Sequence, residues 1–189
     1  MAREIGDVLL DAPTLARRVR DLGGELAETY RGREPLLLAI MKGCVLFLAD
    51  LVRAWDGPLD IDFVTAKSYR GTKADAIRLS VPVDIGGRVA GRPILVVDDI
   101  YDTGATLDAV CKAVERLGAE EVRTVVLLRK RRPEAARPRE PDWVGFDIDD
   151  RFVVGYGLDH DGRFRNLPYV ATLRPERGAC GDPPPDSGM

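Results

Sequence analysis

Histidine occurs once in these 189 residues, cysteine three times, and aromatic side chains make up only 6% of the chain. Each scarcity excludes something. Cys44, Cys111 and Cys180 are widely spaced, so they supply neither a disulfide framework nor the paired spacing of a zinc site, and they fit a reducing cytoplasm. Cys44 and Cys111 sit among apolar helix residues and are read as core. The lone His160 lies in a polar loop and is read as incidental. No apolar run reaches the length of a membrane span and the first residues carry no apolar signal region, so the chain is expected to be soluble. Positive charge is not in excess either: a net charge of −3 argues against a nonspecific grip on a nucleic-acid backbone. Internal repeats are absent, and the length suits one α/β domain.

What is present centres on Pro93 to Leu107, PILVVDDIYDTGATL. Ile94 to Val97 has the branched apolar composition of a strand buried on both faces, and it ends in adjacent carboxylates, Asp98 and Asp99. A turn at Tyr101-Asp102-Thr103-Gly104 follows. From Ala105 the apolar residues Leu107, Val110, Cys111, Val114 and Leu117 fall on one helical face until Gly118. Such a junction offers unpaired N–H groups and the positive end of a helix dipole, so Thr103, Gly104, Ala105 and Thr106 suit a phosphate. Three carboxylates beside a phosphate would repel it unless they bind something else. The hydroxyls of a ribose and a bound Mg²⁺ would suit Asp98 and Asp99, leaving Asp102 free to act as a base. The bland alternative is an αβ turn whose Asp and Thr residues only cap the helix.

The remaining chain alternates strand and helix. Thr14 to Tyr30 reads as an amphipathic helix broken at Gly23-Gly24, and Pro35 to Met41 as a buried strand ending at Lys42-Gly43. Cys44 to Trp55 reads as a helix, and Leu59 to Ala66 as a strand. Lys67 to Ala76 is a polar loop with the length of a lid, after which Arg78 to Ile85 returns as a strand before a turn at Gly86-Gly87. Val122 to Leu128 is a β-branched strand ending in the basic run Arg129 to Arg132, which is read as a solvated face. Trp143 to Phe146 and Phe152 to Tyr156 read as short strands, and Val170 to Leu173 as a last apolar segment. This alternation predicts a mostly parallel sheet flanked by helices, with ligands outside the carboxyl ends of its strands. Lys42-Gly43 is then a second candidate anion site, unless Lys42 is only a solvated strand-end lysine.

Two acids, two variable positions and Asp-Thr-Gly-x-Thr after an apolar strand resemble the phosphoribosyl-diphosphate (PRPP) signature of the type I phosphoribosyltransferases. Over roughly residues 5 to 175 the chain resembles the hypoxanthine/guanine phosphoribosyltransferases of that family. Met41-Lys42-Gly43 resembles the pyrophosphate-binding loop, where the resemblance implies a cis peptide between Lys42 and Gly43. Ser68-Tyr69 resembles the Ser-Tyr pair of a closing catalytic loop. Phe152 to Asp159 (FVVGYGLD) and Phe164 to Tyr169 (FRNLPY) are the most specific match. It implies that Phe152 stacks on the purine, that Val153 offers main-chain groups to its edge, that Asp159 lies near the base and a metal, and that Arg165 meets pyrophosphate.

The resemblance also implies that Lys130 donates to the purine's six-position oxygen. The loop from Lys130 to Trp143 is one residue longer than the family pattern, so Arg131 is the alternative. The loop after Tyr69 is shorter than usual, and Ala105 replaces a larger residue. The implied fold is a single type I phosphoribosyltransferase domain over residues 1–175, with a small hood from the N-terminal residues and about 140–175. Residues 176–189, rich in Pro, Gly and acid, are expected to be a disordered tail. The implied activity is Mg²⁺-dependent transfer of 5-phosphoribosyl from PRPP to a 6-oxopurine, in a cytoplasmic homodimer or homotetramer that binds neither membrane nor nucleic acid. Two rivals share the central motif: a xanthine-preferring or pyrimidine phosphoribosyltransferase, and a nucleotide-sensing RNA-binding regulator of the same fold.

Overall fold

The computed structural model describes residues 5–68, 77–80, 85–132 and 138–174. In chain order the elements are β1 (Ile5–Leu10), α1 (Ala12–Thr29), β2 (Leu36–Met41), α2 (Val45–Arg53), β3 (Asp60–Ser68), β4 (Ile77–Ser80) and α3 (Ile85–Val89). They continue with β5 (Pro93–Tyr101), α4 (Ala105–Arg116), β6 (Glu121–Lys130), β7 (Trp143–Ile148), β8 (Val153–Val154) and β9 (Val170–Leu173).

The two runs with no polar alternation, Leu36–Ile40 and Ile94–Val97, become the central strands β2 and β5 of a six-stranded sheet ordered β4-β3-β2-β5-β6-β7. All its pairings are parallel except β3 with β4. Because successive strand residues point to opposite faces, the sheet feeds two cores. Leu37, Ala39, Leu95 and Val97 pack under Leu15, Leu22 and Leu26 of α1 and Phe47 and Leu51 of α2. Leu36, Leu38, Ile94 and Val96 pack under Leu107, Val110, Cys111 and Val114 of α4. Leu95 is fully buried, and its truncation to alanine would cost about 2–5 kcal/mol. Parallel pairing brings the ends of β2, β5 and β6 to one edge, as expected from the alternation of elements.

Several local expectations give way to tertiary packing. α1 runs unbroken through Gly23-Gly24. A Cβ on Gly23 would stand 2.6 Å from the Ala54 Cβ and 2.8 Å from its carbonyl oxygen, so this glycine lets α1 approach the end of α2. Asp11 caps α1, accepting the Thr14 amide at 2.9 Å. The segment at Gly86-Gly87 is the helix α3, because Ile85 and Val89, one turn apart, both reach the core. Ile85 therefore belongs to α3, not to the returning strand, whose described part is β4, Ile77–Ser80. Lys67 and Ser68 prolong β3 by pairing with Arg78 and Ile77. Tyr101 is the buried last residue of β5, with its hydroxyl donating to the Arg139 carbonyl, and the turn starts after it.

The second sheet, β1-β9-β8, is antiparallel and joins the chain's two ends. β7 lies in the large sheet beside β6, so the later residues of the hood begin at β8 and not near 140. Tyr69, the rest of the proposed closing loop and the 176–189 tail lie outside the described residues. Among the described residues no helix is long and apolar enough to cross a membrane.

Candidate active site

At the end of β5 the chain turns into α4 through Gly104, whose left-handed φ of 80° places its would-be Cβ 2.6 Å from the Tyr101 hydroxyl. Only glycine fits there. No side chain caps α4 in the ordinary way; the Thr103 hydroxyl accepts the Ala105 amide at a long 3.4 Å. The first intrahelical bond of this junction runs from the Asp108 amide to the Gly104 carbonyl, so the amides before it face the cleft's end of the helix without helical partners. Gly43, Asp98, Asp99, Asp102, Thr103, Gly104 and Thr106 line one cleft of about 270 Å³, with Met41, Ala66 and Ile100 as its apolar wall. Ala105 begins the helix at its rim.

The β2 end meets this cleft closely. A Cβ on Gly43 would stand 1.7 Å from Asp99 Oδ2, and a Cβ on Gly157, with φ of 101°, would stand 2.0 Å from the Gly43 carbonyl oxygen. Hood loop, β2 end and acid pair are therefore stacked with no room for a methyl group. The non-proline cis peptide lies between Met41 and Lys42, one bond earlier than the resemblance implied. Lys42 itself is exposed. Cys44, just beyond, is buried, and desolvation together with Asp99 and Asp98 pushes its thiol far up, so it is core and not a nucleophile.

Asp98 is buried and its carboxyl is raised well above the usual range, first by desolvation and then by the charge of Asp99. Burial raises Asp99 as well, with Arg165 opposing weakly. A desolvated pair of hard oxygen ligands short of positive charge fits Mg²⁺ or ribose hydroxyls. Among the described residues no three His, Cys, Asp or Glu side chains gather closely enough to hold a metal ion. Mg²⁺ typically takes one or two carboxylates and completes its shell with water and substrate phosphate, so two acids suffice for that chemistry.

Lys130, Arg132 and Asp150 reach Asp102 from distant segments without lining this cleft, and Phe152 lines a separate one with Gly6, Asp7, Thr172 and Leu173. Lys130, at the end of β6, lies 3.3 Å from Asp102 Oδ2 and 3.1 Å from Asp150 Oδ1. Strand alternation carries Arg132 to the same side, 3.0 Å from Asp102 Oδ1 and 2.9 Å from Asp150 Oδ2, while Arg131 is exposed and its amide donates to the Ile148 carbonyl. Lys130 and Arg132 are thus the cations beside Asp102, and Arg131 is not. Arg129 pairs with Asp147 and Glu140, so the basic run is largely neutralised by its neighbours and is not a free solvated face. Val153 is buried in β8, opposite Thr172. Phe152 is 52% exposed and meets the lone histidine, His160, edge-on at 5.3 Å. Arg165 donates to the Gly157 carbonyl at 2.6 Å and pairs with Asp159 at 2.7 Å, while Asp159 also accepts the Gly162 amide. Arg132 and Asp150 are the residues beside Asp102 that motif reading did not assign. For Arg132 a signal existed, since it stands two residues after Lys130 on a strand-like run.

The family profile for the phosphoribosyl transferase domain matches residues 6–161. The chain is 41% identical over 175 residues to the hypoxanthine-guanine phosphoribosyltransferase of Lactococcus lactis, covering 92% of this chain and 94% of that one. It is 38% identical over 177 residues to the bifunctional protein TilS/HprT of Listeria monocytogenes, 93% of this chain but only 27% of that longer protein. The crystal structure of a hypoxanthine-guanine phosphoribosyltransferase from Bacillus anthracis superposes with a TM-score of 0.82 at 32% identity, covering 92% of this chain and all of the other. Signature, cleft and these likenesses agree: the chain belongs to the type I phosphoribosyltransferase family, among the hypoxanthine/guanine phosphoribosyltransferases.

Proposed function

We propose that this chain transfers the 5-phosphoribosyl group of PRPP to a ring nitrogen of hypoxanthine or guanine, giving IMP or GMP and pyrophosphate, a purine-salvage reaction. The observation that carries this reading is the single cleft in which the acid pair Asp98-Asp99, Asp102 and the open N-terminus of α4 meet. Thr103, Gly104, Ala105 and Thr106 would hold the 5-phosphate on their amides and hydroxyls. Asp98 and Asp99 would hold the ribose hydroxyls and a Mg²⁺ ion, whereas Asp159, expected beside a metal, pairs with Arg165 and does not gather with the acid pair into one metal site. Bound there, Mg²⁺ supplies charge neutralisation for the departing diphosphate. The amides around Lys42 and Gly43, with Arg165, would face the same diphosphate.

Phe152 would stack on the purine, the Val153 main chain would meet its edge, and Lys130 would donate to the six-position oxygen. As the bond to pyrophosphate breaks, the anomeric carbon gains oxocarbenium character and the purine nitrogen attacks it. Asp102 takes the proton released from the purine's imidazole ring. Ser68 and Tyr69 belong, in this reading, to a loop that closes over the reacting atoms. Pairing of the basic run with Asp147, Glu140, Asp102 and Asp150 argues for this enzyme reading over an RNA-binding one. Assembly as a homodimer or homotetramer and a cytoplasmic location are part of the same proposal.

Purified protein with PRPP and Mg²⁺, offered hypoxanthine, guanine, xanthine, adenine and uracil in parallel, tests the reading spectrophotometrically. Turnover of hypoxanthine or guanine that a chelator abolishes is the expected result. Preference for xanthine or uracil, or no turnover despite PRPP binding, would overturn it.

A further inference from the structure

Asp102 does not stand alone at the mouth of the cleft. Lys130 and Arg132 each touch both Asp102 and Asp150, so two cations and two carboxylates close a ring. The two cations are not equivalent in the reaction proposed above. Lys130 is the group that would turn to the six-position oxygen of the purine, and in doing so it would leave Asp102. Arg132 has no such second task. Its guanidinium also donates to Asp150 Oδ1 at 3.0 Å, and this hydrogen bond is the first cause of its raised pKa. Arg132, and after it Lys130, hold the Asp150 carboxyl below the usual range. Asp150 is therefore the anchor and Asp102 the group that is held.

The contact with Asp102 has an unusual form. Arg132 Nη2 is 3.0 Å from Asp102 Oδ1, yet this buried oxygen has no hydrogen-bond partner among the described residues. Arg132 thus holds the buried Oδ1, while Oδ2, which faces Lys130, is the oxygen that would be released when Lys130 turns to the purine. Resting on the reading of Asp102 as the base, we propose that Arg132, anchored by Asp150, is the positioning residue that keeps Asp102 aimed at the purine ring once Lys130 has engaged the base. A partly exposed ion pair contributes little to stability, so the effect belongs in turnover and not in folding.

The test uses the full chain with PRPP, Mg²⁺ and the preferred 6-oxopurine, comparing Arg132→Ala, Arg132→Lys, Asp102→Asn and the Arg132→Ala/Asp102→Asn double variant. Arg132→Ala should lower kcat about 10- to 100-fold, the scale of a misplaced catalytic group, with both KM values within about twofold of wild type. Arg132→Lys and added free guanidinium should each restore part of the rate. In the Asp102→Asn background the same change should add almost nothing, because both act on one step. Wild-type kcat in Arg132→Ala beside a slow Asp102→Asn would overturn the positioning role alone. So would a loss confined to KM, or losses that multiply in the double variant. Full turnover in Asp102→Asn would overturn both, and would locate the failure in the base assignment.

Discussion

The two substrate walls proposed above, of which only the PRPP wall lines the cleft, are built in opposite ways. The PRPP wall is one continuous stretch, Asp98 to Thr106, in which a strand end, a glycine turn and a helix start are neighbours in sequence. The purine wall is gathered from the end of β6, the loop at Asp150, the Phe152-Val153 edge, the loop bearing His160 and Arg165, and a hood sheet joining the chain's ends. There the Asp7 amide donates to the Thr172 hydroxyl across 165 positions. Backbone amides and a helix terminus recur wherever a phosphate must be bound, so the first wall can be local. Recognising one base requires groups aimed from several sides, so the second cannot.

This contrast can be broken first at Asp102, where the walls meet. Asp102→Asn should lower kcat about 10²–10⁴-fold with little change in PRPP binding, as loss of a general base does. Steady-state kinetics beside PRPP titration checks it, and unchanged turnover would sink the assignment. Next is the contact that ties hood to sheet. Gly157→Ala would push a methyl group into the Gly43 carbonyl from a left-handed backbone, costing about 2–4 kcal/mol in packing and strain. It should also shift Gly43 against Asp99, so activity should fall at temperatures where denaturant melts still show a folded chain. Loss of stability with normal turnover in the folded fraction would mean that the walls are independent.

A smaller effect, of opposite sign for stability, is expected on the PRPP wall. Asp98 is held above its ordinary pKa of 3.8, so the folded chain binds that proton more tightly than the unfolded one. Stability contributed by this group therefore falls as pH rises from about 3.8 through the raised folded value. Asp98→Asn removes the penalty and should melt higher than wild type at pH 7. The advantage should vanish toward pH 4 or below, while turnover is largely lost. Equal melting at pH 7 would show that the carboxylate costs the fold nothing. The smallest change is on the purine wall: His160→Ala should raise the purine KM about three- to tenfold through loss of the edge-on contact with Phe152. PRPP KM should stay put, and His160→Tyr should restore the purine value.

Legibility followed the same division. Buried strands β2 and β5, helix α4 and the gathering of Asp98 to Thr106 at one cleft could be read because their apolar runs, acids and glycine act over a few neighbouring positions. β1 could not. Its burial alternates in pairs along Ile5–Leu10, with no strand period of two, and its partner β9 is at the far end of the chain. Gly23 looked like a helix breaker because its reason, the backbone of Ala54, lies in another helix. The basic run looked like a solvated face because the acids that neutralise it sit on β7, in the loops beside it and at Asp102.

By itself the amino-acid sequence determined the mostly parallel α/β architecture, the strand–turn–helix junction at α4 and the acid triad beside it, all consequences of short-range stereochemistry and periodicity. Only the tertiary structure decided that Lys130 and Arg132, and not Arg131, face Asp102, that Gly157 presses on Gly43, and that His160 supports Phe152. Charge pairing and close packing are set by distances through space, and strands and loops far apart in sequence had first to be folded onto one edge of the sheet.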